Sequence, residues 1–283
     1  MSKRQAPLLF SHRGGAGLFP ENTLYAFRQS VDRFQADVLE LDIHMSVDGE
    51  LIVIHDETVD RTTNGTGLVS GKTLSEIKNL DAGWRFTTDG GKTYPYRGKG
   101  LTVPTLKEVF EALQSTDAGI NIEIKRPYRN IENKLYNLIA GFRLADRVLV
   151  ISGYPLVMKR FRRINKRGIL TGGDALEGGR AFVLNKLHLG GLYRPKCDAL
   201  QLPLVFRGAI QVVGESFVAL CKSKGIKLHV WTINDTDTMK MLLDWKVDGI
   251  ITDYPDRLRK VFQEYGYTDS NNNSFRSSFF VYL

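Results

Sequence analysis

Eight short runs rich in β-forming residues recur along the chain at 7–11, 37–45, 119–125, 147–152, 168–173, 198–203, 227–234 and 248–255, and helical patterns lie between most of them. This alternation constrains the fold more than any other feature, because a strand that returns parallel to its neighbour needs a helix-length crossover. Two of those helices are marked: 23–34, opened by Pro20-Glu21-Asn22, and 105–115. Eight such units in 283 residues match a closed TIM-type (β/α)8 parallel barrel, and the rival is an open doubly wound sheet. Strands of an open sheet lie under helices on both faces and read apolar throughout. Here polar residues recur on one face near the strand ends, where a barrel opens into its mouth. The barrel is therefore expected over 1–262.

The segment near 57–103 breaks the alternation. Rich in Gly, Thr and Asp and without a strong helical period, it reads as a small insertion between the second strand and its helix. Its GTGLVSG stretch lacks the strand–turn–helix frame of a phosphate loop. The tail, 263–283, starts as an Asn-rich linker and closes on an apolar cluster, Phe279 to Leu283. Cys197 and Cys221 form no CxxC pair, the N-terminus lacks a secretory apolar core, and no run is long enough to span a bilayer. A cytoplasmic setting without stable membrane insertion is expected.

Chemistry gathers first in ELDIHM, where Glu40, Asp42 and His44 alternate with Leu39, Leu41 and Ile43, so one strand face carries two carboxylates and an imidazole. Asp48-Gly49 reads as a two-residue hairpin turn. Facing residues then have numbers summing to 97, which sets His55 opposite Asp42. A second strand, NIEIK, alternates in the same way and adds Glu123 and Lys125. Three carboxylates without a Cys or paired-His ligand set form a hard oxygen site, suited to one divalent cation, Mg²⁺ or Ca²⁺. The competing reading, that these acids merely pair with Lys125 and Arg13, is weakened because two strands repeat the pattern.

His12 and Arg13 follow the first strand in a Gly-rich loop. His12 and His55 reaching one mouth would suit general acid and base catalysis, with Arg13 and Lys125 gripping a phosphate. Trp231 is either core or a wall of the substrate pocket. His44, His188 and His229 receive no assigned role.

Together the pieces HRGGAGLFPENT (12–23), ELDIHMSVDGELIVIHDETVDRTTNGTG (40–67), VPTLKEVF (103–110), NIEIKRP (121–127), VWTIND (230–235) and GIITDYP (249–255) resemble the glycerophosphodiester phosphodiesterase family, in order and over the chain up to about 262. The resemblance implies a TIM-type barrel with an insertion after the second strand and a divalent cation on Glu40, Asp42 and Glu123. It also implies His12 and His55 as the acid/base pair, with Arg13 and Lys125 near the phosphate. ISGYP at 151–155 departs from the Ser-Phe often found after the fourth strand in that family, and the tail has no counterpart in its core.

The expected activity is hydrolysis of a small-molecule phosphodiester, such as glycerophosphocholine or glycerophosphoethanolamine, to glycerol 3-phosphate and an alcohol. Lysophospholipase D action is the nearest alternative and needs an apolar channel, for which Phe19, Trp84 or the Phe-rich tail are candidates. A non-catalytic phosphate-binding barrel and a nuclease rank lower. The net charge of +8 favours anionic partners, but it is spread along the chain without an aromatic and basic stripe, so nucleic acid is not expected as a partner. Oligomeric state, head-group preference and the choice between direct water attack and a cyclic phosphate stay open.

Overall fold

The computed structural model describes residues 7–267. Its strands are β1 (Leu8–Ser11), β2 (Val38–Met45), β3 (Leu51–Val53), β4 (Gly119–Ile124), β5 (Val148–Ile151), β6 (Leu170–Thr171), β7 (Ala199–Pro203), β8 (Val205–Phe206), β9 (Ile210–Gln211), β10 (Lys227–Trp231) and β11 (Gly249–Thr252). Eight of them pair in parallel in the order β6-β5-β4-β2-β1-β11-β10-β7. A parallel bridge between Gly172 and Ala199 joins the two ends of that row, so the sheet wraps into a nearly closed barrel.

The helices are α1 (Leu24–Phe34), α2 (Leu74–Lys78), α3 (Leu106–Leu113), α4 (Ile131–Gly141), α5 (Pro155–Ile164), α6 (Ala175–Lys186), α7 (Glu215–Ser223), α8 (Thr236–Trp245) and α9 (Pro255–Glu264). All but α2 and α9, which follows the last strand, are the crossovers that parallel pairing requires. Their starts are chemically specified. Thr105 and Glu108 form a capping box at α3, and Thr23, one residue past the Pro-Glu-Asn signal, accepts the N–H of Ala26 to cap α1. Helix α9 runs two residues beyond the expected boundary at 262. The apolar tail cluster lies outside the described residues.

Strand alternation divides the core. Leu39, Leu41 and Ile43 face outward into the cluster that holds Leu106, Val109 and Phe110 of α3. Inside the barrel, Phe10, Val38, Leu149, Leu170, Ala199 and Ile251 plug the lower end. Gly249 belongs to this plug by necessity: a Cβ there would sit 2.7 Å from the Phe10 ring and 2.9 Å from the His229 ring. Above the plug the interior turns polar, with Asn121 donating to Gln201 and Gln201 bonded to His229. Burial pushes the His229 imidazole down to about 3, so it is a neutral member of that layer.

The hairpin differs from the expected register. Ile43 faces Val53, His44 faces Ile52 and Met45 faces Leu51, so partners sum to 96. The turn is a three-residue loop closed between Ser46 and Glu50, with Gly49 at φ 87 supplying the left-handed position. Ser46 Oγ accepts the Glu50 N–H and donates to Asp48, and this extra anchoring favours three residues over two. His55 therefore lies past the end of β3 and faces no strand partner. The segment from β3 to the start of α3 stands apart from the barrel core. It has its own small core of Ile52, Ile54, Val59, Val69, Ile77, Ala82 and Val103, and it contains α2, too short to show a helical period.

Candidate active site

The expected polar site residues lie on β2 and β4 or in the loops that follow β1, β3 and β4. After β1 the chain makes a single 3-10 turn, His12–Gly14, in which Arg13 takes a left-handed φ of 51°. That conformation aims the Arg13 N–H at Glu40, whose Oε2 accepts it at 2.9 Å. Strained backbone of this kind persists where a site over-determines it.

Pairing of β2 with β4 sets Asp42 beside Glu123. One carboxylate oxygen from each of Glu40, Asp42 and Glu123 lies within 4.8 Å of the others. Arg13 Nε approaches Asp42 at 3.3 Å, and Lys125 Nζ approaches Asp42 at 3.4 Å and Glu123 at 3.2 Å. The ion-pair network weighed from the sequence is thus present, but it is short of positive charge. Burial would raise the Asp42 carboxyl, yet Lys125 and Arg13 outweigh burial and hold it below its usual range. Among the described residues, Glu40 is approached by the Arg13 backbone N–H and, at 3.9 Å, by the His12 ring. Burial and the adjacent Asp42 push it up to about 8, and Glu123 is raised as well. A trio of oxygen donors, two buried and Glu123 half-buried, with surplus negative charge fits a hard divalent cation.

Both histidines carry a carboxylate on Nδ1. His12 Nδ1 lies 2.6 Å from Asp253 Oδ1, and Asp253 is held in turn by Asn234, whose Nδ2 donates at 2.7 Å. Burial lowers the affinity of His12 for a proton, but Glu40 and Asp253 outweigh it and the net shift is upward. His55 Nδ1 lies 2.6 Å from Asp56 Oδ1. Asp56 accepts from Arg61, Arg61 donates to Glu21, and Glu21 accepts from Arg13, so a chain of charges ties one histidine's partner to the guanidinium over the acids. Burial opposes ionisation of Asp56, but Arg61 and His55 pull its carboxyl down to about 2. With Nδ1 anchored, each ring presents Nε2 for proton transfer. Replacing Asp253 by Asn keeps the shape and removes the charge. Turnover is expected to fall on the order of 10²-fold with little change in melting temperature, which steady-state rates and thermal denaturation check directly.

His44, left without a role by the sequence, is almost fully buried beneath His55. Its Nε2 meets the His55 carbonyl at 3.0 Å and must carry the proton, so Nδ1, 2.7 Å from the Tyr128 hydroxyl, accepts from it. Trp231, at the end of β10, is 43% exposed, which excludes the core alternative and leaves it on the rim of the mouth. Phe19 is buried against Tyr25 and Phe34, and Arg97 covers the Trp84 ring.

Four contributors were not singled out from the sequence. Asn22, whose Nδ2 donates to Asp42 at 3.0 Å, and Glu21 carry in the sequence only the signal of a helix start. Asp56 adjoins His55 directly and was visible as HD. Asp253 is 241 residues from His12, and only closure of β11 against β1 brings the two together.

The model of the glycerophosphoryl diester phosphodiesterase family matches residues 12–257. A glycerophosphodiester phosphodiesterase of Caldanaerobacter subterraneus subsp. tengcongensis is 37% identical over 92% of this chain and 99% of that one. Among solved structures, a glycerophosphodiester phosphodiesterase of Agrobacterium tumefaciens superposes with a TM-score of 0.71 at 28% identity, covering 90% of this chain and 100% of that one. A phosphodiesterase of Oleispira antarctica, solved with the product sn-glycerol-3-phosphate, superposes with a TM-score of 0.70 at 25% identity over 91% and 97% of the two chains. With this match over most of its length, and with its own acids and histidines gathered at the barrel mouth, the chain belongs to the glycerophosphoryl diester phosphodiesterase family, a family of phosphoric diester hydrolases.

Proposed function

We propose that the chain hydrolyses glycerophosphodiesters, glycerophosphocholine or glycerophosphoethanolamine among them, to glycerol 3-phosphate and an alcohol. The observation that carries this reading is the pair of carboxylate-anchored histidines set around a carboxylate trio that is short of positive charge. The product held by the Oleispira antarctica relative supports the glycerol 3-phosphate half of the assignment.

Glu40, Asp42 and Glu123 would hold one divalent cation, Mg²⁺ or Ca²⁺. When bound, such an ion polarises a phosphoryl oxygen and offsets charge that develops there. The remaining work falls to the chain's own side chains. Arg13 and Lys125 flank the acids and grip the other phosphate oxygens, Arg13 through its guanidinium fork and Lys125 as a point charge. One imidazole Nε2 takes the nucleophile's proton and the other delivers a proton to the departing alcohol oxygen. Asp253 and Asp56 stabilise whichever ring is charged at that moment. Trp231 forms a wall against the organic part of the diester. These parts belong to one barrel unit, 1–262, with the insertion near 57–103 forming one side and the tail 263–283 appended.

The test is a panel of diesters assayed with and without chelator. Glycerophosphocholine or glycerophosphoethanolamine should be turned over, with release of glycerol 3-phosphate, and activity should vanish with EDTA and return with Mg²⁺ or Ca²⁺. Turnover that survives exhaustive chelation sinks the metal assignment, and cleavage confined to oligonucleotides sinks the substrate.

A further inference from the structure

Next around the mouth from β4, strands β5, β6 and β7 are neighbours in the barrel, and the loops after them are adjacent. Their exposed side chains are apolar to an unusual degree. Tyr154 is 40% exposed, Leu156 51%, Leu176 71%, Val205 43%, Phe206 48% and Ile210 48%. Single exposed apolar residues are ordinary, but a cluster on one rim marks an interaction surface.

The last three of these residues lie on β8 and β9, a hairpin that rises from the end of β7 and is exposed from Val205 to Gln211. It is a sheet of two strands, paired with no other strand among the described residues. A two-stranded ribbon in water is marginal by itself, so its apolar residues gain most when something covers them. Across the loops at 152–154, 172–174 and 204–214 the formal charges are Asp174 and Arg207. Asp174 is turned inward, capping α6 by accepting the N–H groups of Leu176 and Glu177. Arg207 is exposed at the hairpin tip, its guanidinium carbon 5.3 Å from the centre of the Phe206 ring.

We propose that this hairpin and the rim beside it dock the mouth of the barrel on a lipid surface that carries anionic headgroups. Val205, Phe206 and Ile210 would enter the headgroup and acyl boundary, while Arg207 reaches up to the phosphates and the net charge of +8 adds attraction at longer range. A second copy is a poorer occupant, because a two-fold contact across the hairpin sets Arg207 against its own counterpart. Docking would bring the site over a diester still anchored by an acyl chain. That consequence rests on the phosphodiesterase reading, whereas docking itself does not.

Co-sedimentation of the full chain with vesicles tests this. Mixed phosphatidylcholine and phosphatidylglycerol vesicles should carry the protein down, phosphatidylcholine alone should do so weakly, and added salt should reduce binding. The triple variant Val205→Ser, Phe206→Ser, Ile210→Ser should bind the mixed vesicles about tenfold less or worse, and R207E alone should remove the preference for phosphatidylglycerol. Both variants should keep the melting temperature and the glycerophosphocholine turnover of the parent, so that loss of docking is read apart from loss of catalysis. A parent protein that stays in the supernatant, variants that sediment as well as the parent, or a parent dimer that the triple variant splits each overturn the proposal. If the parent cleaves no glycerophosphodiester yet sediments as described, docking stands and only the proposed activity fails.

Discussion

Substituting His12 by Ala should lower kcat on glycerophosphocholine by about 10³-fold, within the 10²–10⁴ range of positioned acid or base groups, and leave KM within a few-fold. The ring is held by Asp253 at 2.6 Å, and Asp253 by Asn234, so the energy of two charge-assisted bonds is spent on orienting one imidazole. A histidine serving only as a turn residue would not need them. His55→Ala should show a loss of the same order, because His55 has its own anchor in Asp56 and its carbonyl is pinned by His44. The double variant should lose less than the product of the two single losses, as groups acting in one proton-transfer cycle do. Wild-type rates in either single variant contradict the acid/base assignment.

Glu40→Gln is expected to be at least as damaging, with kcat down by about 10³-fold or more, because it removes one of three ligand oxygens and the charge that draws a cation. Its effect on stability has the opposite sign. With its carboxyl at about 8, above its ordinary 4.5, Glu40 binds its proton more tightly in the folded chain than in the unfolded one. Stability from this source is therefore fully present below about pH 4.5 and is lost as pH rises toward 8, a change on the order of a few kcal/mol. A bound cation reverses the loss by taking the proton's place. The gain in melting temperature given by Mg²⁺ or Ca²⁺ over EDTA should accordingly grow from about pH 5 to about pH 8 and then level off. Glu40→Gln should abolish that gain and leave the metal-free protein at pH 8 more stable than its parent. Thermal denaturation at several pH values, with EDTA and with each ion, checks both parts.

The sequence made the acids legible because a strand has a strict period of two. Alternation of Glu40 and Asp42 with Leu39, Leu41 and Ile43, repeated by Glu123 and Lys125 among isoleucines, indicates a wet barrel face whatever the loops do. The sequence brings His55 to the right neighbourhood on an incorrect register: Ser46 adds a residue to the turn, and the chain beyond β3 then swings His55 to the mouth near Asp42. Asp253 and Asn234 could not be paired with His12 from spacing, since their contact depends on the ring closing between the first and last strands. Asn22 and Glu21 were hidden by a different ambiguity, because Pro-Glu-Asn-Thr is also an ordinary way to begin a helix. The hairpin of β8 and β9 is not legible in the sequence, because strands of two residues carry no period.

The sharing of one ion by carboxylates from two strands is tested most directly by crystals grown with Mn²⁺ and measured for anomalous scattering. One peak is expected, within about 2.0–2.6 Å of oxygens from Glu40, Asp42 and Glu123 together. A map with no peak among those three side chains, from crystals of protein whose activity depends on the same ion, contradicts the account.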